Sequence, residues 1–277
     1  AAKLSRVRGV VNAVSGLGIF FSEENRSVIS KILPKVLRFS HHRSNLAVIF
    51  QNGEDKFLFR KHHIIREEQA YMIKGSGVNL QQFCYTPEPE NGKIRVLLTA
   101  RMIIEKGIFI LTDAAIKLKE KYRDKVQFLL CGGLDDNPKA IKEEDLKRVC
   151  DGEYIQWLGY RTDVLSLLKD CHIVAFPSYY KEGLPKSLIE ATAVGRPIIT
   201  TDSIGCKETV IEGYNGYLIP VQDSETLADR LEILIEDKAL RQKMGKNSRC
   251  LAEKDFSIEN VIAKHLEIYE ILMTGNL

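Results

Sequence analysis

The chain has 277 residues, 44% hydrophobic and 28% charged, with a formal net charge of +3 at pH 7. That is ordinary globular composition over a length sufficient for one large or two modest domains, and it excludes a disordered or fibrous chain. No run of about 18 apolar residues occurs, so no segment reads as membrane-spanning.

The charge is uneven. Residues 1–43 carry eight Lys or Arg against Glu23 and Glu24, residues 44–89 are balanced, and the remainder is net negative. The excess is too small, and too poor in interleaved aromatics, for a nucleic-acid footprint, so no nucleic-acid partner is expected. A basic surface facing an anionic membrane or substrate stays open. The six cysteines (84, 131, 150, 171, 206 and 250) are scattered, without a C-x-x-C pair or a histidine at metal-ligand spacing. They read as free buried thiols of a cytoplasmic protein.

The start, basic and then apolar from Val10 to Phe21, mimics a secretory signal. Asn12, Ser15, Gly16 and Gly18 interrupt it and no cleavage pattern follows, so it reads as folded protein. Val10–Val14 and Leu46–Gln51 are predicted strands. Ser22–Phe39 is a predicted helix capped by Ser22, with Val28, Ile29, Ile32, Val36 and Leu37 on one stripe and Pro34 as an interruption. It reads either as half-buried structure or as a helix docking on the inner membrane face. Short helical turns are expected at 55–60 and 67–71 and a strand at 71–73. The histidine pairs 41–42 and 62–63 read as surface residues. Thr86-Pro-Glu-Pro-Glu-Asn-Gly92 marks a domain boundary, and the segment before it looks like the latter part of a domain whose opening is absent.

From Ile94 onward the pattern is regular. Predicted strands 94–100, 126–131, 155–158, 173–177, 197–201 and 217–221 alternate with helices near 107–122, 139–150, 163–169, 186–194 and 206–212, then 224–236 and 238–252. Strands apolar throughout belong to a parallel sheet covered on both faces, and repeated βα units make it a doubly wound Rossmann-like α/β fold. A last helix, 257–272, has Val261, Ile262, Leu266 and Tyr269 at packing spacing.

Two motifs carry chemistry. The first is Tyr180-Lys181-Glu182-Gly183-Leu184-Pro185-Lys186-Ser187-Leu188-Ile189-Glu190-Ala191, which follows a strand and opens a helix at Pro185. Amides of Gly183 and Leu184 at a helix start suit phosphate or hydroxyls, and Glu182 and Glu190 can reach opposite ends of one polar ligand. Spacing alone leaves this open against a favourable first-turn Glu and an exposed Glu. The second is Arg101-x4-Lys106-Gly107, two cations at a strand tip and a helix start, which read as a diphosphate clamp or as solvated residues flanking a turn. Asp135-Asp136 before Asn137-Pro138 reads as turn chemistry, and His172 as a strand-boundary residue.

Together these elements resemble the family 4 glycosyltransferases of GT-B architecture, in which two Rossmann-like domains face each other. Glu182 and Glu190 fit the family's E-x7-E pattern, and Arg101 with Lys106-Gly107 fits its Arg-x4-Lys-Gly pattern. Also similar, in the family's order over roughly residues 70–250, are Gly75-Ser76-Gly77-Val78-Asn79-Leu80-x-x-Phe83, Leu129-Leu130-Cys131-Gly132-Gly133 and Leu158-Gly159-Tyr160. Gly195-Arg196-Pro197-x-x-Thr200-Thr201-Asp202, Gly205-Cys206-Lys207-Glu208 and Gly213-x-Asn215-Gly216 continue the series. The wording resembles bacterial enzymes that build capsule or O-antigen repeats.

The resemblance implies a partial N-terminal, acceptor-side domain over 1–88, a nucleotide-sugar-binding domain over 89–256, and a C-terminal helix over 257–277 crossing back to the first domain. It implies transfer of a sugar, with retention, from a nucleotide-sugar (a UDP-sugar) to a glycan or lipid-linked acceptor. Arg101 and Lys106 would take the diphosphate, Glu182 the sugar and its cationic transition state, and Glu190 the ribose. Gly183 and Leu184 would offer amides, and Gly133, Tyr160 and Arg161 would line the base pocket. No metal or other cofactor is expected, and contact with the membrane is peripheral. A nucleotide-sugar epimerase and a non-enzymatic nucleotide-sugar-binding remnant are the rival readings.

Overall fold

The computed structural model describes residues 7–17, 28–180 and 183–274. The expected cap Ser22, Glu23 and Glu24 lie outside the described residues, as does Glu182 of the first motif, and so do the side chains of Val28 and Ile29.

Two parallel sheets organise the chain. The first has the order β1 (Val10–Val14), β2 (Leu46–Phe50), β3 (Ala70–Met72). Helix α1 (Val28–His41) joins β1 to β2 and α2 (Gly53–Lys61) follows β2. Every residue of β2 is buried, because both faces are covered. Leu46, Val48 and Phe50 point to one side, with Phe59 of α2 and Leu37 of α1. Ala47 and Ile49 point to the other, against the last helix, α9 (Ile258–Thr274). The period of two in a strand produces this split.

Helix α1 runs through Pro34 without interruption, contrary to expectation. Of its apolar stripe, Leu37 packs inward, whereas Ile32 and Val36 are about half exposed. His41, expected at the surface, is buried instead. Its Nε2 lies 3.1 Å from the Asn12 amide nitrogen on β1, and its Nδ1 is 2.8 Å from the Leu37 carbonyl, so the ring ties the helix end to the sheet.

The second sheet holds β4 (Ile94–Thr99), β5 (Val126–Cys131), β6 (Ile155–Trp157), β7 (Ile173–Phe176), β8 (Ile198–Thr201) and β9 (Gly216–Ile219), in the order β6-β5-β4-β7-β8-β9. All its pairings are parallel. Each strand lies within a residue or two of its predicted span. The covering helices are α3 (Ile108–Tyr122), α4 (Glu143–Val149), α5 (Val164–Asp170), α6 (Lys186–Val194), α7 (Ser224–Glu236) and α8 (Lys238–Leu251). The helix predicted near 206–212 is only a single tight turn at Lys207–Thr209.

The segment from Thr86 to Gly92 is strapped to the second sheet's helices. Glu88 and Arg241 form an ion pair at 2.8 Å with both side chains 5% exposed, and the Arg241 guanidinium also donates to the Leu234 and Ile235 carbonyls. The His172 ring accepts the Arg95 amide through Nδ1 and reaches the Pro89 carbonyl through Nε2. Burial pushes its pKa below the ordinary imidazole value, which fits a fixed boundary residue.

Helix α9 follows a wider π turn, Ala252–Phe256, and packs on the first sheet. Its inward face is Val261, Ile268 and Leu272; the expected packing residues Ile262, Leu266 and Tyr269 point outward and are 43–54% exposed. The helix is apolar on more than one side, so spacing alone could not choose the buried face. The first sheet decides it, Val261, Ile268 and Leu272 clustering with Ala47, Ile49 and Ile73.

Candidate active site

In the second sheet β4 and β7 are neighbours, yet the chain runs outward from β4 through β5 and β6 before returning to β7. This is the topological switch point, and the crevice beyond the carboxyl ends of such a pair is where open α/β sheets place ligands. Both chemical motifs converge there.

Arg101 lies two residues past β4. Its Nη1 donates to the Asp135 carboxylate at 2.8 Å, and its side chain is 60% exposed. Asp135 also accepts the Asn137 amide at 2.8 Å through its other oxygen. The expected turn residue therefore also orients the Arg101 guanidinium. Lys106 ends a tight turn, Ile104–Lys106, and is buried, with its ammonium 5.6 Å from the Phe176 ring and 5.1 Å from the Tyr180 ring. Aromatic faces favour a desolvated cation. The Glu105 carbonyl locks this turn to the loop after β7, accepting from the Tyr179 amide at 2.9 Å and from the Tyr180 amide and Ser178 hydroxyl at 3.2 Å.

Gly107 follows at φ +78°, and a Cβ there would lie 2.1 Å from the Pro177 carbonyl oxygen. The motif's glycine is thus required by left-handed backbone and by contact with the end of β7.

Helix α6 begins at Lys186, with Pro185 in extended conformation before it. The Leu184 amide, expected to face the crevice, donates to the Gln51 side-chain oxygen at 3.0 Å. Gly183 is pressed so closely that a Cβ would meet that oxygen at 2.2 Å and the Ser15 carbonyl at 2.3 Å. Ser15 and Gln51 directly follow β1 and β2, so the carboxyl ends of the first sheet close on the start of α6. Glu54 adds an ion pair to Lys207 at 2.6 Å. The sequence places Gln51 only at the end of the predicted strand Leu46–Gln51 and assigns it no role at this site; its local signal is a polar residue closing an apolar run.

Glu190 projects from α6 with its side chain 14% exposed and the Lys186 ammonium 3.9 Å away. Burial raises its carboxyl pKa above the ordinary carboxylate value, and Lys186 opposes the rise. Gly133 lies after β5 beside Tyr160, whose side chain is 78% exposed. Arg161 is engaged by the Asp163 carboxylate through two bonds, at 2.7 and 2.5 Å.

Two parallel sheets of this kind, the carboxyl ends of the first meeting the start of α6 on the second, define the GT-B architecture. Anabaena HepE, solved in complex with UDP, superposes with a TM-score of 0.78 at 22% identity over 96% of this chain and 74% of that one. Residues 86–250 match the family model for glycosyl transferases group 1. The chain is 31% identical to N,N'-diacetylbacillosaminyl-diphospho-undecaprenol alpha-1,3-N-acetylgalactosaminyltransferase of Campylobacter jejuni, over 98% of this chain and 72% of the relative. It is 29% identical to the capsular polysaccharide biosynthesis glycosyltransferase CapM of Staphylococcus aureus, over 60% of this chain and 43% of CapM. The chain belongs to the group 1 glycosyl transferases.

Proposed function

We propose that the chain transfers a sugar from a UDP-sugar to a glycan or lipid-linked acceptor in surface-polysaccharide synthesis, with retention of anomeric configuration and without a metal ion. The observation that carries this reading is the convergence of Arg101, Lys106, the Gly183–Leu184 helix start and half-buried Glu190 at one switch point. In this scheme the bond from the anomeric carbon to the diphosphate oxygen breaks and a bond to the acceptor oxygen forms. The acceptor's proton passes to the leaving phosphate.

Arg101, aimed by Asp135, and Lys106 bind the diphosphate and stabilise the charge growing on it. Glu182 holds the sugar and favours its cationic transition state, Glu190 accepts bonds from the ribose, and Gly183 and Leu184 present amides. To do so the Leu184 amide must give up its bond to the Gln51 side chain. Gly133, Tyr160 and Arg161 border the base.

The Campylobacter relative's name specifies a diphospho-undecaprenol-linked acceptor and an alpha linkage, CapM is named for capsular polysaccharide, and HepE was solved with UDP. These support the acceptor class and make uridine the first nucleotide to test. Donor consumption is measured with and without a lipid-diphosphate-linked saccharide. Consumption that requires the acceptor supports the proposal. A new free sugar without acceptor would instead indicate an epimerase, and binding without turnover a non-enzymatic remnant.

A further inference from the structure

Gln51 holds the Leu184 amide, and the chemistry around that contact limits what part of a donor can replace it. The Leu184 N–H donates to Gln51 Oε1 at 3.0 Å. The Ser15 carbonyl presses on the same loop from the end of β1: a Cβ on Gly183 would meet Gln51 Oε1 at 2.2 Å and the Ser15 oxygen at 2.3 Å. The two oxygens thus flank one point beside Gly183, next to a single N–H, and both come from the first sheet.

The backbone that carries Gln51 is fixed. The buried Asn52 side chain accepts the Asp55 amide at 2.8 Å and donates to the buried Asp55 carboxylate at 2.9 Å, capping α2 directly after β2. On the other side of Gln51, the Phe50 carbonyl accepts the Ile73 amide at 3.0 Å. Gln51 can therefore yield by rotating its side chain while strand and loop stay in place.

A plain bolt between the sheets would account for the Gln51 bond alone. Lys207 and Glu54 already supply such a link at 2.6 Å, and a bolt gives no reason for a second carbonyl oxygen against Gly183.

A ligand atom that takes the Leu184 amide from Gln51 is left facing the Gln51 oxygen. A diphosphate oxygen has no proton to give and would set negative charge against two carbonyl oxygens. A hydroxyl both accepts and donates, so it can take the Leu184 N–H and return its own proton to the carboxamide oxygen.

We propose that Gln51 is a specificity-determining residue for the donor sugar. One sugar hydroxyl enters between the Leu184 amide and Gln51, accepting from the first and donating to Oε1 of the second, while the diphosphate stays with Arg101 and Lys106. The proposal rests on the donor-site reading above, and it puts the sugar rather than the diphosphate at the start of α6. The first sheet thereby takes part in choosing the sugar.

The test is a calorimetric cycle with wild type, Gln51→Met and Gln51→Glu, each checked for native circular dichroism. Met keeps the length of the side chain and removes the acceptor, whereas Glu keeps the acceptor. The titrants are UDP, whichever of UDP-glucose, UDP-galactose and their N-acetylamino counterparts the wild type binds most tightly, and the monodeoxy analogues of that compound. Deleting one particular hydroxyl should cost about fivefold less in Gln51→Met than in wild type, the worth of one neutral hydrogen bond. In Gln51→Glu the cost should be at least that of wild type, and UDP itself should bind wild type and Gln51→Met alike. A loss shared equally by UDP and the sugar nucleotide would overturn the proposal, because it marks the diphosphate at this point. So would the absence of any hydroxyl coupled to Gln51→Met, or tighter sugar-nucleotide binding by that variant; each of these outcomes leaves the donor site standing. A folded wild type that binds no nucleotide removes the donor-site reading and this proposal with it.

Discussion

Replacing Gly107 by alanine tests how the donor-side turn is built. The methyl group would sit 2.1 Å from the Pro177 carbonyl oxygen, about 1.3 Å closer than the 3.4 Å at which ordinary contact begins, and the obstacle is backbone. Overpacking of this kind costs about 1–3 kcal/mol, and an L-residue in the left-handed region adds about 1–2 kcal/mol. Gly92→Ala is the internal control, because Gly92 has φ +91° with nothing within 4 Å of the added carbon, so only the backbone strain applies. At about 2–4 °C per kcal/mol, thermal unfolding should fall by about 4–20 °C for Gly107→Ala and by about 2–8 °C for Gly92→Ala. Equal shifts for the two variants would refute the reasoning that Gly107 is fixed by contact with the end of β7.

Gly183→Ala should weaken UDP-sugar binding by at least tenfold in calorimetry, and adding Gln51→Ala should not restore it, because the Ser15 carbonyl still lies 2.3 Å from the added carbon. His63→Gly should raise stability by up to about 1 kcal/mol, read by urea unfolding, since it relieves left-handed strain at a helix end; a loss would contradict this. Glu88→Ala should cost about 3–5 kcal/mol in the same assay by leaving Arg241 buried without its partner, and an effect under 1 kcal/mol would sink that account. Glu190 has a raised folded-state pKa, so it destabilises the fold above that pKa, and the penalty vanishes below the unfolded carboxylate range. Glu190→Gln should therefore raise the melting temperature at pH 7 but not at pH 3.5, and flatten an acid-side loss of donor affinity; equal increments at both pH values would contradict it.

The second sheet was legible because its strands are apolar throughout and its helices are bounded by glycine, proline and acidic residues, signals that depend on neighbours in sequence. The positions of Arg101 at a strand tip, Lys106 in the turn before a helix and Glu190 about one turn into α6 follow from the same local signals. Contacts between distant segments were not legible. Gln51 matters through Leu184, 133 residues away, and no local pattern marks that pairing. Asp135 showed only its turn role, because its bond to Arg101 spans two loops brought together by sheet order. Helix α9 was found, but the side it buries depends on the first sheet. His41 shows the same limit, since a polar sequence neighbourhood gave no hint of the Asn12 side chain beneath it.

The donor site is the central claim, and calorimetric titration of the chain with UDP, GDP and UDP-sugars, wild type beside Arg101→Ala and Glu190→Ala, tests it most directly. The account predicts that a uridine nucleotide binds and that each substitution weakens it at least tenfold, Arg101→Ala by loss of diphosphate contact and Glu190→Ala by loss of the ribose contact. A folded wild type that binds no nucleotide, or variants that bind as tightly as wild type, would contradict it.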